Sequence, residues 1–366
     1  MTIEQQIWRE ALALGMEKCG VIKADAMRGY EERLRERMRR IPNGEAQYVR
    51  FLRFADVRQT FGWAKSIVVG VFNYERYRIP PELKPYYGKA FLTDSRNNPE
   101  SPDAQAAKTF EAYLSGLGLR AATEKLFGFT ALRWAAEQAG LGLIRRNNFF
   151  YTESGSWVSI IAWAVDREME LLGEHSLKPC PKDCRRCLDA CPTKSLCAPY
   201  TMNMATCVSR LSSSNEPNLY SEETNRQMGT WLYGCDACQD CCPMNAGKWR
   251  GEAEFPGLDS FRHELLPERI AALSYGEIAA RLSQKLFYIN AESLWRWKLS
   301  ALNVLANEGR TDCAPLTGQL LHDEYALVRE KAAWAAEKLG IAQQNTAADQ
   351  HAGEAHKEAG ADSSGD

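Results

Sequence analysis

Two cysteine runs constrain this chain more than anything else in it. C-P-K-D-C-R-R-C-L-D-A-C-P spans Cys180 to Pro192, C-D-A-C-Q-D-C-C-P spans Cys235 to Pro243, and each closes on a Cys-Pro pair. An iron-sulfur cube needs four thiolates converging on one small object. A loop with closely spaced cysteines can turn three of them inward, so the fourth comes from elsewhere. In two-cluster ferredoxins that fourth ligand is the cysteine of the other run's Cys-Pro. On this rule Cys180, Cys184 and Cys187 share a [4Fe-4S] cluster with Cys242. Cys207, in A-T-C-V-S-R, joins Cys235, Cys238 and Cys191 around a second cluster.

Cys180 and Cys184 enclose one residue more than the bacterial ferredoxin spacing, which asks for a local bulge. Paired Cys-x-x-Cys steps also bind zinc, but zinc has no use for two Cys-Pro endings and a further nearby thiol. Cys19, Cys197, Cys241 and Cys313 are left over and read as small core residues. Cys241, beside a ligand, reads alternatively as a spare thiol.

Length and composition set the frame. The 366 residues, 45% of them hydrophobic, suffice for two or three cores. A net charge of −2 points neither toward nor away from a polyanion partner. The longest apolar stretch, V-S-I-I-A-W-A-V at Val158 to Val165, is too short to cross a bilayer, so no membrane association is expected. The start, M-T-I-E-Q-Q-I-W-R-E, shows no export signal. Twelve cysteines in an unexported chain point to metal binding in a reducing, cytoplasmic compartment rather than to disulfides.

Residues 1–172 alternate helical and strand patterns and predict an α/β (α+β) domain. Helices are expected around Ile7 to Lys18 and over the charged G-Y-E-E-R-L-R-E-R-M-R-R near Gly29 to Arg40. The clearest strands are K-S-I-V-V-G-V-F at Lys65 to Phe72 and W-V-S-I-I-A-W-A-V at Trp157 to Val165. Tyr86 to Asp103 reads as a long loop. Residues 173–250 form the cluster domain and 251–342 a helical one, in which Leu320 to Gly340 carries the Asp, Val-Arg and paired alanines of a HEAT-type repeat. Residues 343–366 lack large apolar side chains and read as a disordered tail.

In their order these pieces resemble the epoxyqueuosine reductases, cobalamin-dependent enzymes related to reductive dehalogenases. The resemblance runs from K-S-I-V-V-G-V-F through A-G-L-G-L-I-R-R-N at Ala139 to Asn147 and S-G-S-W at Ser154 to Trp157. It continues through both cysteine runs, L-Y-G-C-D-A-C at Leu232 to Cys238 and the HEAT-like end. It implies a nitroreductase-like α/β domain holding a base-off corrinoid, a ferredoxin-like domain with two [4Fe-4S] clusters, and HEAT-like helices that grip tRNA. It further implies a monomer fed by an electron donor such as ferredoxin or flavodoxin, in which the clusters reduce cobalt to Co(I). The family's substrate is the epoxide of a queuosine precursor at the tRNA wobble position, and its product is the alkene. Two departures stand out. The family's carboxylate ahead of the A-G-L-G motif falls on Leu126, with Glu124 two positions away, and its Asp-Tyr-His segment is replaced by Y-Y-G-K-A-F-L-T-D-S-R-N-N at Tyr86 to Asn98.

Opening an epoxide requires an acid near the departing oxygen. Tyr151 and Glu153, in R-R-N-N-F-F-Y-T-E-S-G-S-W, are the candidate donors, and the plainer alternative makes them a strand residue and a loop carboxylate. Gly155 and Ser156 suit close approach of a corrin ring, because glycine admits a ring against the backbone. Arg146 and Asn147 are candidates for the corrin's amide rim or the substrate, although an arginine pair at a strand edge is often merely solvated. Charge gives RNA little support. Arg28 to Arg40 holds six arginines against three glutamates, and Lys248 to Lys338 has twelve basic and thirteen acidic residues, so both read as solvated amphipathic surface. Two rivals stay open: a reductase of a small organic substrate, and an electron-transfer or corrinoid-activating protein without catalysis of its own.

Overall fold

The computed structural model describes residues 1–124 and 126–341. The tail expected from residue 343 onward lies outside them. Chain segments group into two compact units. One contains Met1–Lys84, Gly88–Leu211 and Cys235–Ser260, so the α/β part and both cysteine runs share it. Among the described residues the other contains Pro85–Tyr87, Ser212–Gly234 and 261–341.

The first unit is built on a four-stranded sheet, ordered β1 (Lys18–Lys23), β2 (Ser66–Asn73), β6 (Val158–Val165) and β3 (Ala121–Ala122), with every neighbouring pair antiparallel. Side chains alternate faces along a strand, so β2 feeds two cores at once. Val68 and Phe72 pack against Ile7 and Ala11 of the Ile3–Ala13 helix and Phe110 and Leu114 of the Pro102–Gly116 helix. Ile67, Val69 and Val71 pack on the other face with Ala135, Ala136 and Ala139. With helices on both faces, the central strand reads as an unbroken apolar run.

The first helix begins earlier than its apolar spacing suggested. Thr2 and Gln5 form a capping box at its start, and Gly15, at φ +91°, follows its end. Lys18 opens β1 instead, an edge strand whose K-C-G-V-I-K is too short and too mixed to stand out. The charged helix occupies Tyr30–Arg39. The expected loop from Tyr86 contains a short helix at Lys89–Leu92 and a 3-10 turn at Ser95–Asn97, and ends where Ser101 caps the Pro102–Gly116 helix.

The second unit is helical, centred on Trp295–Glu308, of which residues 295–306 are all buried. Pro267–Ala272 and Ala326–Lys338 pack against it. Tyr233 stacks on Trp297 with ring centroids 5.0 Å apart. Asp323 accepts hydrogen bonds from Lys298 Nζ at 2.9 Å, Tyr275 Oη at 2.6 Å and the Tyr325 amide at 3.0 Å. Among the described residues no helix is long and apolar enough to cross a membrane.

Candidate metal centre

Each cysteine run folds as a turn, a one-turn helix and a Cys-Pro exit. The helices are Arg186–Asp189 and Ala237–Asp240, and Pro192 and Pro243 follow their last ligands. The thiols separate into two electrostatic neighbourhoods. Burial pushes Cys187 up to about 12, with Cys241, Cys180, Cys242 and Cys184 adding to the rise. Burial likewise holds Cys238 well above the usual thiol range, reinforced by Cys235, Cys207 and Cys191. Without a metal Cys187 and Cys238 keep their protons. Bound iron supplies the positive charge that deprotonates them, so the donor set fits two clusters. Among the described residues no three His, Cys, Asp or Glu side chains are drawn around a single ion.

A hairpin loop joins the two runs. β4 (Leu143–Ile144) pairs with β5 (Phe150–Tyr151), and Gly142 makes room for it, since a Cβ there would stand 2.1 Å from the Tyr151 carbonyl oxygen. The loop closes through Arg145 N to Phe149 O at 2.9 Å, with Asn148 left-handed at φ +65°. Its side chains then reach different parts of the centre. Arg145 Nη1 donates to Cys180 Sγ at 3.7 Å. Arg146 donates to the carbonyls of Cys184 at 2.7 Å and Lys182 at 2.5 Å. Asn147 Nδ2 donates to Cys238 O at 3.0 Å and to Tyr151 Oη at 2.9 Å.

S-G-S-W fastens the second run. Ser156 N donates to Asn245 Oδ1 at 2.8 Å, Asn245 Nδ2 donates to Ser156 Oγ at 2.8 Å and Gln239 O at 2.9 Å, and Ser156 Oγ meets Gln239 Oε1 at 2.9 Å. Gly155, at φ +96°, faces the same asparagine, for a Cβ would come within 2.7 Å of Asn245 Oδ1. The four positions read as corrin-facing, Arg146, Asn147, Gly155 and Ser156, are therefore engaged with the cluster loops.

The two expected proton donors part company. Tyr151 is 1% exposed, and burial first, then Cys242, raises its phenol so that it keeps its proton. Its hydroxyl is hydrogen-bonded with Cys242, which puts it against the centre. Glu153 forms a 2.7 Å ion pair with Lys18 and accepts from the Ser176 amide at 3.0 Å. Burial alone would raise its carboxyl, but those partners hold it at about 2, so at neutral pH it has no proton to give. Glu124 binds the amides of Leu126 and Phe127 at 3.1 and 2.8 Å.

Several functional neighbours escaped the sequence. Lys89 of the replaced segment binds Asp236 through both its amide, at 2.7 Å, and its Nζ, at 3.3 Å. Its ammonium also reaches Asp240 at 2.6 Å and lies 4.5 Å from the Trp157 ring centroid. Nothing in Y-Y-G-K-A-F announces that contact, because its partners lie far along the chain. A cleft of about 650 Å³ runs along the charged helix, lined by Arg33, Arg37, Arg39 and Arg40, by Glu32 and Glu36, and by Gly29, Tyr200 and Thr201.

Comparison with known proteins agrees with this geometry. Residues 180–245 match the family model of a 4Fe-4S double cluster binding domain. A protein of Gloeobacter violaceus named epoxyqueuosine reductase is 30% identical over 286 residues, 74% of this chain and 86% of its own. Its namesake in Bacillus subtilis is 30% identical over 218 residues, 57% of this chain and 53% of its own. Among solved structures, an epoxyqueuosine reductase with an epoxyqueuosine-modified tRNA-Tyr stem loop superposes with a TM-score of 0.76 at 23% identity, covering 92% of this chain and 90% of that one. The Streptococcus thermophilus epoxyqueuosine reductase gives 0.72 at 21% identity, covering 93% and 90%. These likenesses establish a shared mixed α/β fold.

Proposed function

The chain belongs to the epoxyqueuosine reductase family, and from that membership we propose that it reduces the epoxide of epoxyqueuosine in tRNA to the alkene. It is an iron-sulfur oxidoreductase with two [4Fe-4S] clusters. In this reading Cys180, Cys184, Cys187 and Cys242 hold the first cluster, and Cys191, Cys207, Cys235 and Cys238 the second. A cytoplasmic donor such as ferredoxin or flavodoxin supplies the electrons. Residues 1–172 are the nitroreductase-like part, 173–250 the ferredoxin-like part and 251–342 the HEAT-like part of a monomer. A corrinoid belongs to the proposal as the family's cofactor, with no residue assigned to it.

One observation supports the reading: Cys187 has Cys180, Cys184 and Cys242 as electrostatic neighbours, together with Cys241, and Cys238 has Cys191, Cys207 and Cys235, a division that suits crossed Cys-Pro ligation. The arginine-lined cleft supports an anionic partner such as tRNA. Leu126, where the family has a carboxylate, favours a second reading, a reductase of a small organic substrate. The test is anaerobic reconstitution with iron, sulfide and cobalamin, then turnover with epoxyqueuosine-containing tRNA. About eight irons per chain together with alkene formation are expected. Full iron with turnover of small epoxides or halides alone selects the second reading. Full iron without cobalamin uptake or turnover leaves an electron carrier.

A further inference from the structure

We propose that Arg145 sets the reduction potential of the cluster held by Cys180, Cys184, Cys187 and Cys242, making it the easier of the two to reduce. The inference rests on the ligand sets proposed above. Arg145 is 4% exposed, and its Nη1 donates to Cys180 Sγ at 3.7 Å. Its Nε is buried without a hydrogen-bond acceptor, and the guanidinium lies 5.2 Å from the Tyr151 ring centroid. None of its contacts among the described residues is to a carboxylate. A desolvated cation with an orphaned donor demands a counter-charge, and a thiolate-ligated cluster provides one.

The electrostatic consequence follows from Coulomb's law. Taking one electron from the donor makes the cluster more negative, while the donor loses one. A fixed neighbouring cation therefore stabilises the reduced form more than the oxidised form. Hydrogen bonds to the cysteine sulfurs act in the same sense, and Tyr151, bonded with Cys242, adds a second on this cluster. The other quartet has a different neighbour, the buried carboxylate of Asp236, which acts in the opposite sense and is offset by Lys89. The two centres are thereby graded, and electrons settle on the Cys180 cluster.

The test is a potentiometric titration of the reconstituted holoprotein followed by EPR, on wild type and Arg145→Met. The higher midpoint is expected to fall by at least 59 mV, a tenfold loss in the equilibrium constant of a one-electron reduction, while the lower stays put; a fall confined to the lower one overturns the proposal. Full iron with both midpoints unmoved, or both shifted alike, overturns the proposal. If Arg145→Met does not hold iron, Arg145→Gln, which keeps N–H donors and loses the charge, is titrated instead; the same selective fall is expected, and its absence is equally fatal. An error in the ligand sets shows separately, as Cys180→Ala protein that retains all its iron.

Discussion

A proton donor must hold a proton at working pH, and this divides the two candidates of the Y-T-E-S-G-S-W approach. Glu153, held at about 2 by Lys18 and the Ser176 amide, is a structural tie. Tyr151 keeps its proton but directs it at Cys242. Loss of a general acid costs about 10²- to 10⁴-fold in rate. Tyr151→Phe is expected to lose less than tenfold in steady-state turnover; a fall into the general-acid range would restore it as the donor. The sequence could nominate these residues because polar groups crowd before a buried strand. It could not say which way each one points, because Cys242 and Lys18 are distant in the chain.

At the scale of elements, the cysteine runs were legible because ligand spacing is a local property, and β2 and β6 because β-branched runs are. The hairpin loop was not. R-R-N-N looks like a solvated turn, and only the closure of β4 on β5 directs Arg145, Arg146 and Asn147 at the cluster loops. The clamp around Asn245 is similarly non-local. Removing its side chain leaves the buried Ser156 N–H without an acceptor, at about 1–3 kcal/mol. Asn245→Ala should therefore release iron to a chelator faster than wild type does, measured by loss of the cluster absorbance. Equal release rates would mean that the clamp does not secure the second run.

Over the whole molecule, the second unit has a pH dependence of its own. Lys331 is 4% exposed, donates to Asn303 Oδ1 at 2.8 Å and lies 3.7 Å from the Trp334 ring centroid. Burial first, then Lys338 and Arg296, lower its ammonium from 10.5 to about 6. Between those values the unfolded chain binds a proton that the folded one does not. Stability therefore rises with pH across that window, by at most about 1.4 kcal/mol per unit. Urea unfolding from pH 6 to 9 should show this slope, and Lys331→Met should flatten it; an unchanged slope in the variant would place its origin elsewhere. The helical character of this part was readable from its alanine-rich pattern, whereas the buried lysine looked like surface.

The chain leaves the first unit after Leu211, spends Ser212–Gly234 in the second, and returns at Cys235. With the proposed ligands, a nascent chain that stops before Cys238 can close neither quartet: one lacks Cys242 and the other lacks Cys238. Iron insertion is thereby placed after synthesis of the intervening excursion. The clusters act as a pair of late rivets across chain separations that hydrogen bonds must otherwise hold.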